Sequence, residues 1–498
     1  MAQRIVPLPR GREHVRESHL FSRVLLAAKE VNVKLVYSRC AGLDVHKDTV
    51  FVSIRRSKGK NAESISAVFQ TFTEDLEKLR EFLQRHKVHR VVMESTGVYW
   101  IPIWNVLERS KSWKFDVVLA NPQHVRALPG HKTDAQDSAR LAELGQYDLL
   151  RSSFIPPLPI RQLRDLTRQR AHLQQDRNRV INRIGRLLQI GNIKLQSVAT
   201  DIMGKTGRLI LTALAEGKCD PGQLSKLAQG LLKRKQVDLA RACEGITDEH
   251  FRWMLQELIS EMERLDEKLA DIGERIRRQI YPWQEVVNKL CTIPGVQEVT
   301  AWTLLAELGP DMAVFPDAAH AASWAGLCPG NCESAGKRQS GRTPTGNRYV
   351  RRALVQSGWA VARKKDCFLT ALFYRVAARH GVKKAAVAVA HRILIIAYYV
   401  IRDGVTYREA GGDFFDRLNP ERTARRLTRR LQRIGFEVQL MPRPSATAVP
   451  AAATDLNGAS GKRGRPCKCA KWGIACIHVR NNQMLLPQSP RGPSTSST

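Results

Sequence analysis

The chain reads as an α/β N-terminal domain, a helical connector, a mostly α-helical C-terminal domain and a flexible basic tail. Three observations lead there: β-branched runs alternate with helical stretches over residues 39–150, apolar residues then recur at heptad spacing, and Pro, Ala, Ser and Gly take over from residue 443. The 498 residues give room for roughly three domains of ordinary size. The expected divisions are an N-terminal extension with no assigned function over 1–38, the α/β domain over 39–150, the connector over 151–285, the helical domain over 286–412, and a basic helix with its tail over 413–498.

In order along the chain, LDVHKDTVFVSIRR gives a strand, a turn and a second strand, while VHRVVMES and FDVVLANP are short strands between helices. That alternation suits a mixed sheet with flanking helices. IPPLPI at 155–160 marks a boundary. After it, Leu163, Leu166, Leu173, Val180, Ile184 and Leu187 form a heptad-like seam interrupted by Arg170 and Arg177. A cleaner coiled-coil seam follows at Leu255, Leu258, Met262, Leu265, Leu269, Ile272 and Ile276, so two long helices should pair, within one chain or across a dimer. CTIPGVQEVTAWTLLAELG, with Pro294 and Gly295 in its turn, reads as a helix-hairpin-helix, a device that aims backbone N–H groups at phosphate or serves as a plain structural turn.

No apolar run reaches the roughly 18 residues of a membrane span, and AAVAVAHRILIIAYYVI, with His391 and Arg392 in its middle, reads as a buried helix. The first 38 residues lack a signal-peptide hydrophobic region and carry Glu13, Glu17 and Glu30, against a transit peptide. The ten cysteines are scattered rather than framed, which points to a reducing cytosol.

Charge narrows the function. Against 47 Asp and Glu stand 80 Lys and Arg, a formal charge of +33, and the natural counterion is nucleic acid. Charge alone says binding and not chemistry, so a merely basic binding protein stays open.

Four carboxylates carry the chemical reading. Asp44 lies inside an apolar strand pattern, where a carboxylate needs a cation or hydrogen bonds to compensate it. Glu94 directly follows RVVM and should stand at a strand end; Asp134 and Asp137, three apart in a helical stretch, share one face. Such a set can bind two Mg²⁺ ions for phosphodiester chemistry, and its order along the chain is that of a ribonuclease-H-like metal site.

A second centre lies between Ser334 and Arg352, with six Lys or Arg and no acid: Lys337, Arg338, Arg342, Arg348, Arg351 and Arg352. Pro329, Gly330 and Gly336 bracket Ser334 in what reads as a loop. Its hydroxyl is either a hydrogen-bond donor to phosphate or a nucleophile that stores the broken phosphodiester as phosphoserine.

Together GLDVHKD, ESTG, KTDAQDSARLAEL, GLCPGNCESAGKR and GNRYVRRAL resemble, over roughly residues 40–410, the bridge-RNA-guided insertion-sequence transposases. This is the IS-one-ten family, IS-eleven-eleven-like group, with a RuvC-like DEDD domain and a C-terminal serine domain. The resemblance implies a RuvC-like fold for the α/β domain, Mg²⁺ on Asp44, Glu94, Asp134 and Asp137, and Ser334 as nucleophile. It also implies a structured RNA pairing with donor and target DNA, and homo-oligomers, dimers or tetramers, in which one subunit's acids meet another's serine. The residues before Cys40 extend beyond the family's usual start, and a truncation beginning near Ser38 is expected to keep activity.

In ERTARRLTRRLQRIG, Arg422, Arg425, Arg426, Arg429 and Arg433 share one helical side, with Leu427, Leu431 and Ile434 on another, as in a phosphate-contacting helix. In the tail, KRGRPCKCAKWGIACIH joins an AT-hook-like RGRP to Cys467, Cys469, Cys476 and His478, which either close a tetrahedral Zn²⁺ site or remain reduced thiols. The reading is a serine-assisted, Mg²⁺-dependent DNA transposase or recombinase. The alternatives are a RuvC-like nuclease acting by water attack and a basic binding protein without catalysis.

Overall fold

The computed structural model describes residues 35–58, 61–94, 97–120, 134–150, 152–329, 332–334, 337–340 and 343–441. The expected zinc ligands Cys467, Cys469, Cys476 and His478, together with Arg342 and residues 1–34, lie outside them. The chain divides into two compact units between Asn419 and Pro420.

The first unit opens on a five-stranded mixed sheet. Strands β1 (Arg39–Val45), β2 (Thr49–Lys58) and β3 (Asn61–Gln70) form an antiparallel meander, and β4 (Arg90–Glu94) and β5 (Asp116–Ala120) extend it in parallel with β1, in the order β3-β2-β1-β4-β5. Parallel neighbours require crossovers, supplied by α1 (Thr73–Arg85) and α2 (Trp100–Glu108). The period-two alternation sends Ala41, Leu43, Val91 and Met93 into one core with Leu76, Leu79 and Leu83 of α1, and Cys40 and Val92 into a second core under α3 (Asp134–Gln146). This mixed sheet with helices is compatible with the expected ribonuclease-H-like class.

Residues just before 39 also contact the domain. The Val36 and Tyr37 amides both donate to the Gln146 carbonyl at 3.0 Å, and the Arg90 guanidinium lies 4.6 Å over the Tyr37 ring. These residues, expected to belong to a dispensable extension, close the end of α3.

The connector is built on two long helices, α4 (Leu158–Ile190) and, beyond α5 (Lys205–Ala215), α6 (Glu249–Ile280). Pro159 stands in the first turn of α4, where its missing N–H costs nothing, and the Asp248 carboxylate caps α6 by accepting from the Phe251 amide at 2.8 Å. The two helices pack antiparallel within one chain. Gln279 donates to the Pro159 carbonyl at 3.0 Å near one end, and Arg183 pairs with Glu261 at 2.8 Å nearer the other. Their shared seam feeds two separate cores. Val180 and Ile184 pack with Leu255, Leu258 and Met262, whereas Ile160 and Leu163 pack with Ile272 and Ile276. Between them Arg177 finds its partner: Nε meets Asp266 at 2.5 Å, and Arg208 of α5 takes the other carboxylate oxygen at 2.6 Å.

The C-terminal core joins the first-named end of that pair to α7 (Gln284–Cys291), α8 (Glu298–Leu308), α9 (Arg348–Val361), α10 (Phe368–His380) and α11 (Val382–Asp403). By length and composition α11 is apolar enough to cross a membrane, but Val389, Ala390, Ile393, Leu394 and Ala397 are buried at the centre of this core. The segment expected as a helix-hairpin-helix forms α7, a turn through Gly295, and α8. Gly295 adopts φ +82°, and a Cβ there would lie 2.4 Å from Val361 Cγ2 and 2.8 Å from the Ser357 carbonyl oxygen. The glycine is therefore required by the close approach of α9 to the turn. The second unit contains α12 (Pro420–Arg433), none of whose residues is buried.

Candidate active site

The parallel pairing of β1 with β4 runs to Leu43 opposite Met93. One residue further, Asp44 and Glu94 stand side by side at the carboxyl edge of the sheet, the position where ligands of open α/β sheets collect. By strand alternation both lie on the face of Gly42 and Val92, the face α3 covers.

Close backbone contact fixes α3. A Cβ on Gly42 would lie 2.0 Å from the Ser138 carbonyl oxygen and 2.4 Å from the Ala142 nitrogen; one on Gly145 would lie 2.5 Å from Cys40 Sγ. Residue numbers thus fall along α3 as they rise along β1, which carries the first turn of α3 toward the end of β1 that bears Asp44. Asp134 and Asp137 occupy that turn, one helical repeat before Ser138 and Leu141, which are buried against the sheet. Asp137 is half-buried.

A hydroxyl chain and one amide lock this arrangement. Ser138 Oγ lies 2.8 Å from the Ser53 hydroxyl, which lies 3.1 Å from that of Ser66. Gln146, fully buried, accepts from Arg55 Nε at 3.1 Å and Ser57 Oγ at 3.2 Å and donates to the Ser38 and Arg55 carbonyls. Every polar atom of that amide is satisfied, as burial requires. These positioning residues went unread in the sequence, although Gly42 opposite Ser53 in adjacent strands is a signal of close helix approach.

His46 was also missed. Its Nε2 lies 3.1 Å from Asp44 Oδ2, with the Asp44 side chain 16% exposed. Two residues apart on a strand end the pair shares a face, which HKD directly after LDV could have signalled. Oxygen donors on one edge suit Mg²⁺ in kind. Among the described residues, however, no group of three or more His, Cys, Asp or Glu is placed to hold a metal, and the Asp134 side chain lies outside the description.

Ser334 sits elsewhere. It ends β6 (Cys332–Ser334), opposite Lys337 of β7 (Lys337–Ser340), with Glu333 opposite Arg338. The expected loop thus holds an antiparallel pair of short strands. Gly326, at φ +68°, and Gly346 meet at the hairpin's base, where a Cβ on Gly346 would lie 2.2 Å from the Gly326 nitrogen.

Comparison with known proteins falls on these same two regions. A transposase model for the DEDD domain of IS110 elements matches residues 41–192, and a model described as the transposase IS116/IS110/IS902 family matches residues 287–372. A Sinorhizobium fredii protein described as a candidate transposase, y4pF/y4sB, is 26% identical over 60% of this chain and 70% of its own length. An uncharacterized 44.8 kDa protein of insertion element IS116 from Streptomyces clavuligerus is 25% identical over 62% of this chain and 83% of its own. The chain belongs to the IS110/IS116 transposase family. It is a DNA-processing enzyme in the general sense, and DNA is its partner.

Around the transposase's hairpin the basic residues divide in two. Arg351 is part of the fold, donating to the Gly326 carbonyl at 3.2 Å, the Pro344 carbonyl at 3.4 Å and Thr343 Oγ1 at 2.7 Å. These bonds pin the loop that follows β7. Arg348 lies over the Tyr349 ring and donates to its hydroxyl at 2.8 Å, and Arg352 is exposed. Lys337 and Arg338 are placed by register only, beside Ser334 and Glu333. Before α9 begins, Glu307, fully buried, receives Arg168 at 2.7 and 2.9 Å, Arg164 at 3.2 Å and Asn347 Nδ2 at 2.7 Å. Asn347 in turn caps α9 through the Tyr349 and Val350 amides. In the second unit Arg422, Arg426, Arg429 and Arg433 of α12 are exposed.

Proposed function

We propose that this transposase cuts and exchanges DNA strands through a divided active site, with Ser334 as nucleophile and Asp44, Glu94, Asp134 and Asp137 as the holders of Mg²⁺. The observation that carries the reading is the adjacency of Asp44 and Glu94 at parallel strand ends, with the first turn of α3 directed to the same edge. Bound there, Mg²⁺ would stabilise charge on the phosphate oxygens and the leaving oxygen. Ser334 Oγ attacks the strand phosphorus and loses its proton, and the departing strand oxygen becomes a hydroxyl. The phosphoserine bond conserves the phosphodiester until a second strand's hydroxyl attacks it. Exposed arginines on α9 and α12 supply phosphate contacts.

Family resemblance extends the proposal to a bridge RNA that pairs with donor and target, and to a homo-oligomer in which the acids of one protomer serve the serine of another. The compartment that fits is the prokaryotic cytosol.

Transposition of a marked element in cells tests both halves. Ser334→Ala and Asp44→Asn should each abolish it, and co-expression of the two variants should restore part of it if the halves come from different protomers. Continued strand cutting by Ser334→Ala with hydrolysed ends would replace this reading by water attack. Full activity of Asp44→Asn would leave a binding protein.

A further inference from the structure

Beyond Glu94 the chain turns through Gly97, at φ +56°, into α2. Trp100 and Trp104 pack inward against the sheet core, while Val98, Tyr99 and Ile101 are 65%, 41% and 38% exposed. Three neighbouring apolar side chains left to water at the head of a helix are a cost the fold does not recover internally. Their place is set by chain connectivity. Gly97 is three residues from Glu94, hence at most about 11 Å along the chain, and the Tyr99 ring folds back to 3.7 Å from the Gly97 Cβ position. The ring therefore lies within about 15 Å of Glu94 at the carboxyl end of β4. Lys47 is exposed in the β1–β2 turn on the same edge.

From this placement we infer that Tyr99, with Val98 and Ile101 beside it, is a stacking platform for an unpaired DNA base within a few nucleotides of the phosphate that reacts. The occupant follows from what surrounds the patch. A protein partner would meet apolar surface interrupted by carboxylates meant for metal, whereas a nucleic-acid strand offers a phosphate to the acid edge and a flat apolar base to the ring at once. Base spacing of about 3.4 Å per nucleotide puts the ring within a few nucleotides of the acids. Aromatic faces accept any base, so the platform holds an opened strand in place without reading sequence, and the aliphatic neighbours act as a wedge that disfavours restacking. The inference rests on the proposed strand exchange at this edge and adds the side chains that hold the opened strand there.

The test uses full-length protein with Ca²⁺ in place of Mg²⁺, a single-stranded DNA carrying 2-aminopurine, and the same strand annealed to its complement. Wild type and Tyr99→Phe should quench the 2-aminopurine in the single strand. Tyr99→Ala should lose the quenching and bind the single strand about five- to a hundred-fold more weakly, the worth of one stacked base, with duplex affinity unchanged. Val98→Ser should give a smaller loss of the same kind. Quenching retained by Tyr99→Ala would overturn the inference. So would a change confined to the sedimentation coefficient, which would make the patch a contact between copies of the chain. Asp44→Asn, assayed for strand exchange alongside, separates the two readings: activity there sinks the proposed chemistry, while loss of stacking in Tyr99→Ala is read without it.

Discussion

At the sheet edge backbone lies on backbone: Gly42 touches Ser138 and Ala142, and a chain of neutral hydroxyls and one amide closes the gap. The segment that follows the Ser334 hairpin is held instead by charge, since Glu307 gathers two guanidiniums and the α9 cap and Arg351 pins the loop after β7. One half of the proposed site is held by shape and the other by ions. The first arrangement resists pH and salt, and the second is easily broken by removing a single partner.

Glu307→Ala should therefore have the largest effect on stability. Two guanidiniums would lose their buried carboxylate, a loss worth about 3–5 kcal/mol, read as a lower urea midpoint for the helical part with the sheet domain's far-ultraviolet signature retained. An unchanged midpoint would mean that the ion cluster is not what seats α9.

Acid should sharpen the same contrast. Burial in the α11 core, with a smaller push from Arg392, lowers His391 to about 4 from an ordinary value of 6.5. As pH falls below 6.5 the unfolded chain takes up a proton that the folded chain refuses until about pH 4. Stability should thus be flat above that window and decline within it by up to about 3 kcal/mol. His391→Leu should flatten the decline in urea titrations across that range, and a variant as acid-sensitive as wild type would contradict the assignment.

Gly42→Ala probes the shape-held half. The added methyl has backbone on the other side, so α3 must shift, at about 1–3 kcal/mol and with loss of transposition out of proportion to the stability change. Equal losses in both would show that α3 needs no exact seating.

The smallest effects compare two neighbouring arginines. Arg351→Ala should cost about 1–3 kcal/mol of stability through its orphaned carbonyls. Arg352→Ala should leave stability alone and lower the slope of DNA affinity against salt by about one. A reversed pair of results would exchange their roles.

Much of the acid half was legible because its signals are local. A strand pattern places Asp44, a strand end places Glu94, and a three-residue spacing on a helix places Asp134 and Asp137. What tied them together was not legible, since the contacts of Ser138, Gln146 and Gly42 span 85 to 108 residues or depend on a helix crossing a strand. The hairpin escaped for another reason: its strands are three and four residues long, polar and glycine-flanked, so no period-two apolar pattern marks them. Charge counting likewise could not tell Arg351, bonded to the loop after β7, from the exposed Arg352. The two seams of α4 and α6 were read residue by residue, yet only the structure decides that they meet within one chain and serve two cores.

The central claim is that Ser334 forms a covalent bond to DNA that depends on the acid edge. Denaturing electrophoresis of full-length protein reacted with its element's DNA, followed by mass mapping of the trapped adduct, tests it most directly. The account predicts a nucleotide on the peptide bearing Ser334 in wild type, and no adduct in either Ser334→Ala or Asp44→Asn. Cleavage without any adduct, or an adduct on another residue, would contradict it.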